Sequence, residues 1–222
     1  MSSRGRLHIA VDLAILVVLA LVLLQPRGVI GSRITEWRSA RQLEARIAEH
    51  WDELAERDGS ILGESANGSP PLVEFVDYQC PSCRTIAPDV EALASEGIPV
   101  AIRHLPVPVG PYSRAAAKAA ICAAEQGRFQ QMHGLLFEID WARMDGEPAW
   151  RDLAASAGVP LLDVFGECLE SDRVEQRLAR DRRLADLLGL RGTPTFVTPS
   201  RVHMGATRAA EAFAAAREAR DP

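Results

Sequence analysis

The chain opens on an apolar run, Ile9 to Leu24, broken only by Asp12 and preceded by Arg4 and Arg6. Positive charge ahead of such a run favours a cytoplasmic N-terminus. With Leu7 and His8 included, the run reaches the roughly 17–25 residues that a membrane-spanning helix needs. The favoured reading of residues 1–31 is a single-pass membrane anchor. A cleaved signal peptide is the alternative, although the best cleavage site on offer, Val29-Ile30-Gly31, lacks the A-x-A pattern. Both readings place the remaining chain on the extracytoplasmic side. From Arg33 to Asp58 the sequence is charged, with apolar residues at Ala40, Leu43, Ile47, Trp51 and Leu54. That spacing follows one helical face and predicts a helical linker over 32–59, whether stalk, membrane-surface helix or helix packed on the next domain.

Beyond residue 60 the pattern is that of one mixed α/β domain. Ala66 to Pro71 is a loop by composition. Leu72 to Tyr78 reads as a strand that runs straight into Cys80. Pro81 to Ser95 reads as a helix with proline in its first turn, where the missing N–H costs nothing, and with Pro88 as an expected kink. Ile98 to Leu105 is a second strand. Ser113 to about Val164 is alanine-rich and mostly helical, and Val174 to Leu188 is a further helix. Thr195-Phe196-Val197 and Val202-His203-Met204 predict a hairpin, and Ala209 to Arg220 a final helix. A β-α-β unit, a helical insertion and a β-β-α unit produce this order.

Composition adds limits. An apolar fraction of 47% supports a folded domain, and a net charge of −5 leaves no basic footprint for nucleic acid. Cys80 and Cys83 form a C-x-x-C pair, whereas Cys122 and Cys168 stand alone. A structural zinc site usually needs four ligands, and only one close pair is present. The histidines show no metal-binding spacing, and His133 sits on a helix with a strong apolar stripe.

Cys80-Pro81-Ser82-Cys83 lies where a strand ends and a helix begins. A helix N-terminus offers unpaired N–H groups and partial positive charge, which favour a thiolate at Cys80. Cys83, one turn later, can return to resolve a mixed disulfide. Glu74 lies in an apolar strand, six residues before Cys80. Alternation sets Glu74, Val76 and Tyr78 on one face and Phe75 and Asp77 on the other, so one acid is expected to face inward. Burial would raise that acid's pKa and let it pass protons to or from Cys83. Asp77 is the weaker candidate, because its charge near Cys80 would oppose the thiolate. Cys122 and Cys168 sit at the two ends of the helical insertion. In an oxidising compartment a structural disulfide between them is preferred over two buried free thiols.

The strand–CPSC–helix junction, together with Gly192-Thr193-Pro194-Thr195-Phe196, resembles the thioredoxin superfamily. The helical stretch between these motifs makes the chain similar to the DsbA-like branch, over about Ile61 to Arg217. The resemblance implies a thioredoxin fold with a helical insertion, a cis Pro194 against the cysteines and a Thr193 backbone that meets substrate. It also implies proton transfer by Glu74. Ser82 departs from the histidine frequent at that position in DsbA-like oxidants and lacks its charge, which weakens the expectation of strong oxidising power. The expected function is exchange of disulfides with proteins of the cell envelope, most readily disulfide formation. It needs no cofactor beyond the cysteine pair, but it needs a membrane redox partner to reset that pair. Alternatives are an envelope reductase or isomerase, a membrane-tethered redox sensor and a chaperone module.

Overall fold

A computed structural model describes residues 13–19, 21, 29–64, 72–107, 110–144 and 146–220, with the side chains of 29, 30, 147 and 220 left undescribed. The chain forms two compact units, Met1–Ala45 and Arg46–Pro222. In the first, residues 13–19 and 21 are helical, and their large apolar side chains are 51–63% exposed. No helix among the described residues is long and apolar enough to cross a membrane. Residues 1–12, 20 and 22–28 lie outside the described set, and with them much of the expected anchor. Helix α1 (Val29–Glu49) follows, and its last residues, from Arg46, belong to the second unit.

The second unit contains α2 (Trp51–Leu54), β1 (Ile61–Leu62), β2 (Leu72–Val76), α3 (Pro81–Ser95) and β3 (Val100–His104). The expected helical stretch resolves into α4 (Ser113–Ala124), α5 (Phe129–Glu138), a 3-10 turn at Trp141–Arg143, α6 (Gly146–Ser156) and α7 (Leu162–Leu169). Helix α8 (Asp172–Leu187), the hairpin β4 (Thr195–Thr198) and β5 (Arg201–Met204), a 3-10 turn at Ala206–Arg208 and α9 (Ala209–Arg220) complete it. The strand order is β1-β3-β2-β4-β5. Among the described residues only β2 and β3 run parallel, Val73 opposite Ala101 and Glu74 opposite Ile102. On its other side β2 meets β4 antiparallel, with Glu74 opposite Phe196. A parallel pair is covered on both faces, and every residue of β2 and β3 is buried.

That coverage changes one expectation. Glu74 and Asp77 are both buried, at 2% exposure each. Glu74 lies on the central strand, while Asp77 follows the strand and turns its carboxyl group onto backbone N–H groups. Helix α3 buries Cys83, Ala87, Val90, Leu93 and Ala94, a single stripe at helical spacing. The helix continues through Pro88; the proline removes one backbone donor without ending it.

The boundary between linker and domain also moves. Residues 46–59, expected in the linker, belong to the second unit, where Ile47 and Leu54 are fully buried. Arg103 on β3, with no exposed surface, holds this segment. Its guanidinium donates to Asp58 Oδ2 (3.2 Å) and to the Glu53 and Glu56 carbonyls (3.2 and 2.8 Å). Arg177 and Arg180 of α8 share Asp58, and Asp181 accepts from the His104 N–H at 2.8 Å. A buried arginine survives only when its donors find acceptors. Here most of those acceptors come from the segment it fastens.

Candidate active site

Cys80 caps α3 in an extended conformation, φ −74° and ψ 119°, with Pro81 at the first helical position. The helix therefore begins with its free N–H groups directed at the cysteine. Cys80 is half-buried and Cys83 buried, and both are free thiols. The Thr193–Pro194 peptide bond is cis, as the resemblance implied. The Thr193 carbonyl lies 3.4 Å from Cys80 Sγ, which donates to it. The buried Thr193 hydroxyl also bears on both sulfurs. The Pro194 carbonyl accepts from the Gly205 N–H at 2.8 Å, tying this loop to the end of β5.

The two thiols are driven apart. Cys80 is lowered to about 5, first by the hydrogen bond from the Cys83 thiol, then by Thr193 and the backbone N–H groups of Cys83 and Ser82, all against the opposing effect of burial. Cys83 is pushed upward by the same hydrogen bond, by burial and by the nearby charge of Glu74. Glu74 is raised to about 8, chiefly by burial and further by Cys80. At neutral pH the site holds one thiolate, one thiol and one largely protonated carboxyl group. That set can attack, resolve and pass a proton.

The structure brings Cys80, Cys83, Glu74 and Thr193, with Pro194 next to it in the chain, into one neighbourhood. Cys122 and Cys168 lie elsewhere: they are joined as a disulfide between α4 and α7, with Cα atoms 5.8 Å apart. Two features escaped sequence reasoning. Tyr78 is buried, and its hydroxyl lies 3.0 Å from His133 Nδ1. Burial holds its phenol well above the usual range, with Glu74 and Cys83 adding to the effect. Gln79, the residue before Cys80, accepts from the Tyr112 N–H at 2.7 Å. Neither contact has a local sequence signal, since both partners lie more than thirty residues away.

The family model described as thioredoxin matches residues 57–216. The chain belongs to the thioredoxin family. Among solved structures it is similar to the thiol–disulfide exchange protein alpha-DsbA2 from Wolbachia pipientis, with a TM-score of 0.69 and 22% identity, covering 82% of this chain and 97% of that one. A thioredoxin-like oxidoreductase from Silicibacter pomeroyi DSS-3 aligns with a TM-score of 0.60 and 27% identity, covering 75% and 97%. The chain thus shares the fold of these proteins and carries a free dithiol at a helix N-terminus, the groups that thiol–disulfide exchange requires. In sequence it is 40% identical over 138 residues to "Na(+)/H(+) antiporter NhaA 3" of Salinispora tropica, covering 60% of this chain but 21% of that protein. The chain thus spans about a fifth of the curated relatives it matches, and the antiporter name describes those longer proteins.

Proposed function

We propose that the protein donates disulfides to proteins outside the cytoplasm, with Cys80 as the substrate-facing sulfur and Cys83 as the resolving one. The observation that carries this reading is the asymmetry of the pair: Cys80 lowered to about 5, Cys83 raised. In the oxidised protein, a substrate thiolate attacks Cys80 Sγ and the Cys80–Cys83 bond breaks. Cys83 leaves as a thiolate and takes a proton through Glu74. A second substrate thiolate then attacks its own sulfur in the mixed disulfide, and Cys80 leaves as a thiolate. The substrate loses two electrons and the dithiol gains them. A low leaving-group pKa favours that last step, and a stabilised thiolate makes the reduced form the comfortable one. The value of about 5 lies between about 7 for thioredoxin and about 3.5 for a strong oxidant. It agrees with Ser82 contributing a backbone N–H rather than a charge. Thr193 and Pro194 border Cys80 on the side where a substrate peptide would lie.

Resetting the dithiol requires an acceptor of two electrons, which we assign to a membrane redox partner. Tethering by the N-terminal segment is supported by Arg4 and Arg6 ahead of Ile9–Leu24 and by the exposed apolar side chains of residues 13–19. Alkaline extraction of membranes, followed by protease treatment of spheroplasts, tests the tether. A chain that washes off, or a domain shielded from protease, rejects it.

The direction of electron flow is tested by equilibrating the protein against a glutathione series and alkylating the remaining thiols. A potential of about −120 to −180 mV supports disulfide donation. A potential near about −270 mV, as in thioredoxin, would mark a reductant instead.

A further inference from the structure

The turn that carries Cys80 is fastened by two side chains that the exchange chemistry does not use. Asp77 is buried, and both of its carboxyl oxygens accept backbone N–H groups. Oδ1 accepts from Gln79 at 2.8 Å, within the turn, and Oδ2 accepts from Val107 at 2.7 Å, on the segment that leaves β3. The Asp77 carbonyl accepts the Cys80 N–H at 3.1 Å, and the Asp77 backbone also bonds the Cys83 thiol. Gln79 extends the connection: its Oε1 accepts from the Tyr112 N–H at 2.7 Å and lies 3.4 Å from Ser113 Oγ, at the start of α4. The fit is tight, because a Cβ on Gly110 would stand 2.0 Å from Gln79 Oε1. Only glycine leaves room for that amide. Tyr112 lies nearly parallel to the Trp141 ring, 12° between planes, in the helical insertion.

The geometry points to Asp77 and Gln79 as a latch that positions Cys80 by tying the dithiol turn to the entrance of the helical insertion. This inference rests on the reading of Cys80 as the attacking sulfur. Asp77 is a positioning residue: it acts through backbone N–H groups and holds Cys80 where the first turn of α3, Cys83 and Thr193 converge on its sulfur. The latch reverses the expectation from sequence. A carboxylate three residues from Cys80 should oppose the thiolate, so neutralising it should make Cys80 more acidic. A latch predicts the opposite sign. Asparagine keeps the shape, but its single carbonyl oxygen satisfies one N–H and its amide faces the other donor with a donor.

The test uses the full-length chain with Asp77→Asn, Asp77→Ala and Gln79→Ala, and reads the pH profile of Cys80 alkylation in the reduced protein. Melting temperature is recorded for each. With the latch, both Asp77 variants move the midpoint upward by about 0.7 pH unit, a change of about fivefold in acidity and the scale of one lost hydrogen bond. Gln79→Ala moves it the same way by less, and carries the test alone if the Asp77 variants fail to fold. A double Cys122→Ala, Cys168→Ala variant serves as a destabilised control whose midpoint stays in place. A midpoint that falls in Asp77→Asn, or stays put while only melting changes, overturns the latch. Cys80→Ser is measured alongside: if it keeps exchange activity, the reading of Cys80 itself has failed rather than the latch.

Discussion

The two cysteine pairs of this chain share their chemistry and differ in everything else. Cys80 and Cys83 sit three positions apart at the start of one helix, beside Thr193, with Cys80 partly open to solvent. Cys122 and Cys168 are 46 residues apart, joined and buried between α4 and α7. A helix N-terminus, a neighbouring thiol and access make the first pair reactive. The second has a packed shell and no route for an attacking thiolate. Reactivity here follows from placement, since the same atoms in the insertion serve as a cross-link.

The largest effect should come from breaking the first pair. Cys80→Ser is expected to bring exchange with a dithiol peptide down to the uncatalysed rate. Cys83→Ser, offered the disulfide form of that peptide, should instead attack it through Cys80 and hold it as a mixed disulfide, visible on a non-reducing gel. Retained activity in Cys80→Ser would erase the contrast between the pairs. The second pair should respond in stability alone. Closing a 46-residue separation is worth about 4 kcal/mol in the chain-entropy account. The Cys122→Ala, Cys168→Ala variant should therefore lose a stability of that order in urea unfolding, with the Cys80–Cys83 potential unchanged. A shifted potential would mean that the insertion disulfide takes part in the redox function.

Glu74 sharpens the comparison through pH. Its ordinary value of 4.5 rises to about 8 in the fold. Its favourable contribution to stability is complete below about 4.5 and is lost as pH climbs through about 8, because the unfolded chain ionises first. Glu74→Gln should remove that loss and stabilise the protein at pH 8 by about 2–3 kcal/mol, a discounted figure because buried charges relax their surroundings. The same variant should slow release of Cys83 in exchange. Urea unfolding at pH 5 and pH 8 checks the sign; equal effects at both would remove Glu74 from the titrating set. The smallest change is Ser82→His. A cationic or donating ring near Cys80 should make the potential more oxidising by about 20 mV, equivalent to about 1 kcal/mol, measured against glutathione. A more reducing value would show that the ring is not directed at the sulfur.

Much of this was legible before any coordinates. The strand–CPSC–helix junction is local: four residues and a change of period identify a dithiol at a helix N-terminus. Glu74 was found because a charge inside an apolar strand is conspicuous. Its neighbour in the argument, Asp77, was misjudged because alternation assigns faces but not coverage. The sequence showed one acid inward; the sheet buried both, and Asp77 used its oxygens on the Gln79 and Val107 N–H groups. Arg103 looked like an ordinary strand residue, and nothing within β3 announces that Asp58 and the Glu53 and Glu56 carbonyls converge on it. For the same reason residues 46–59 were assigned to a linker.

The amino-acid sequence alone determined the order of elements, the reactive pair and the family. These depend on periodicity, on turn residues and on spacings of a few positions, which act over one or two turns of chain. The tertiary structure decided what each buried polar group touches. It placed Thr193 against Cys80 across 113 residues, pushed Glu74 up to about 8 and Cys80 down to about 5, and joined Cys122 to Cys168. Those outcomes depend on desolvation and on distances between segments far apart in the chain, and neither exists until the layers have packed.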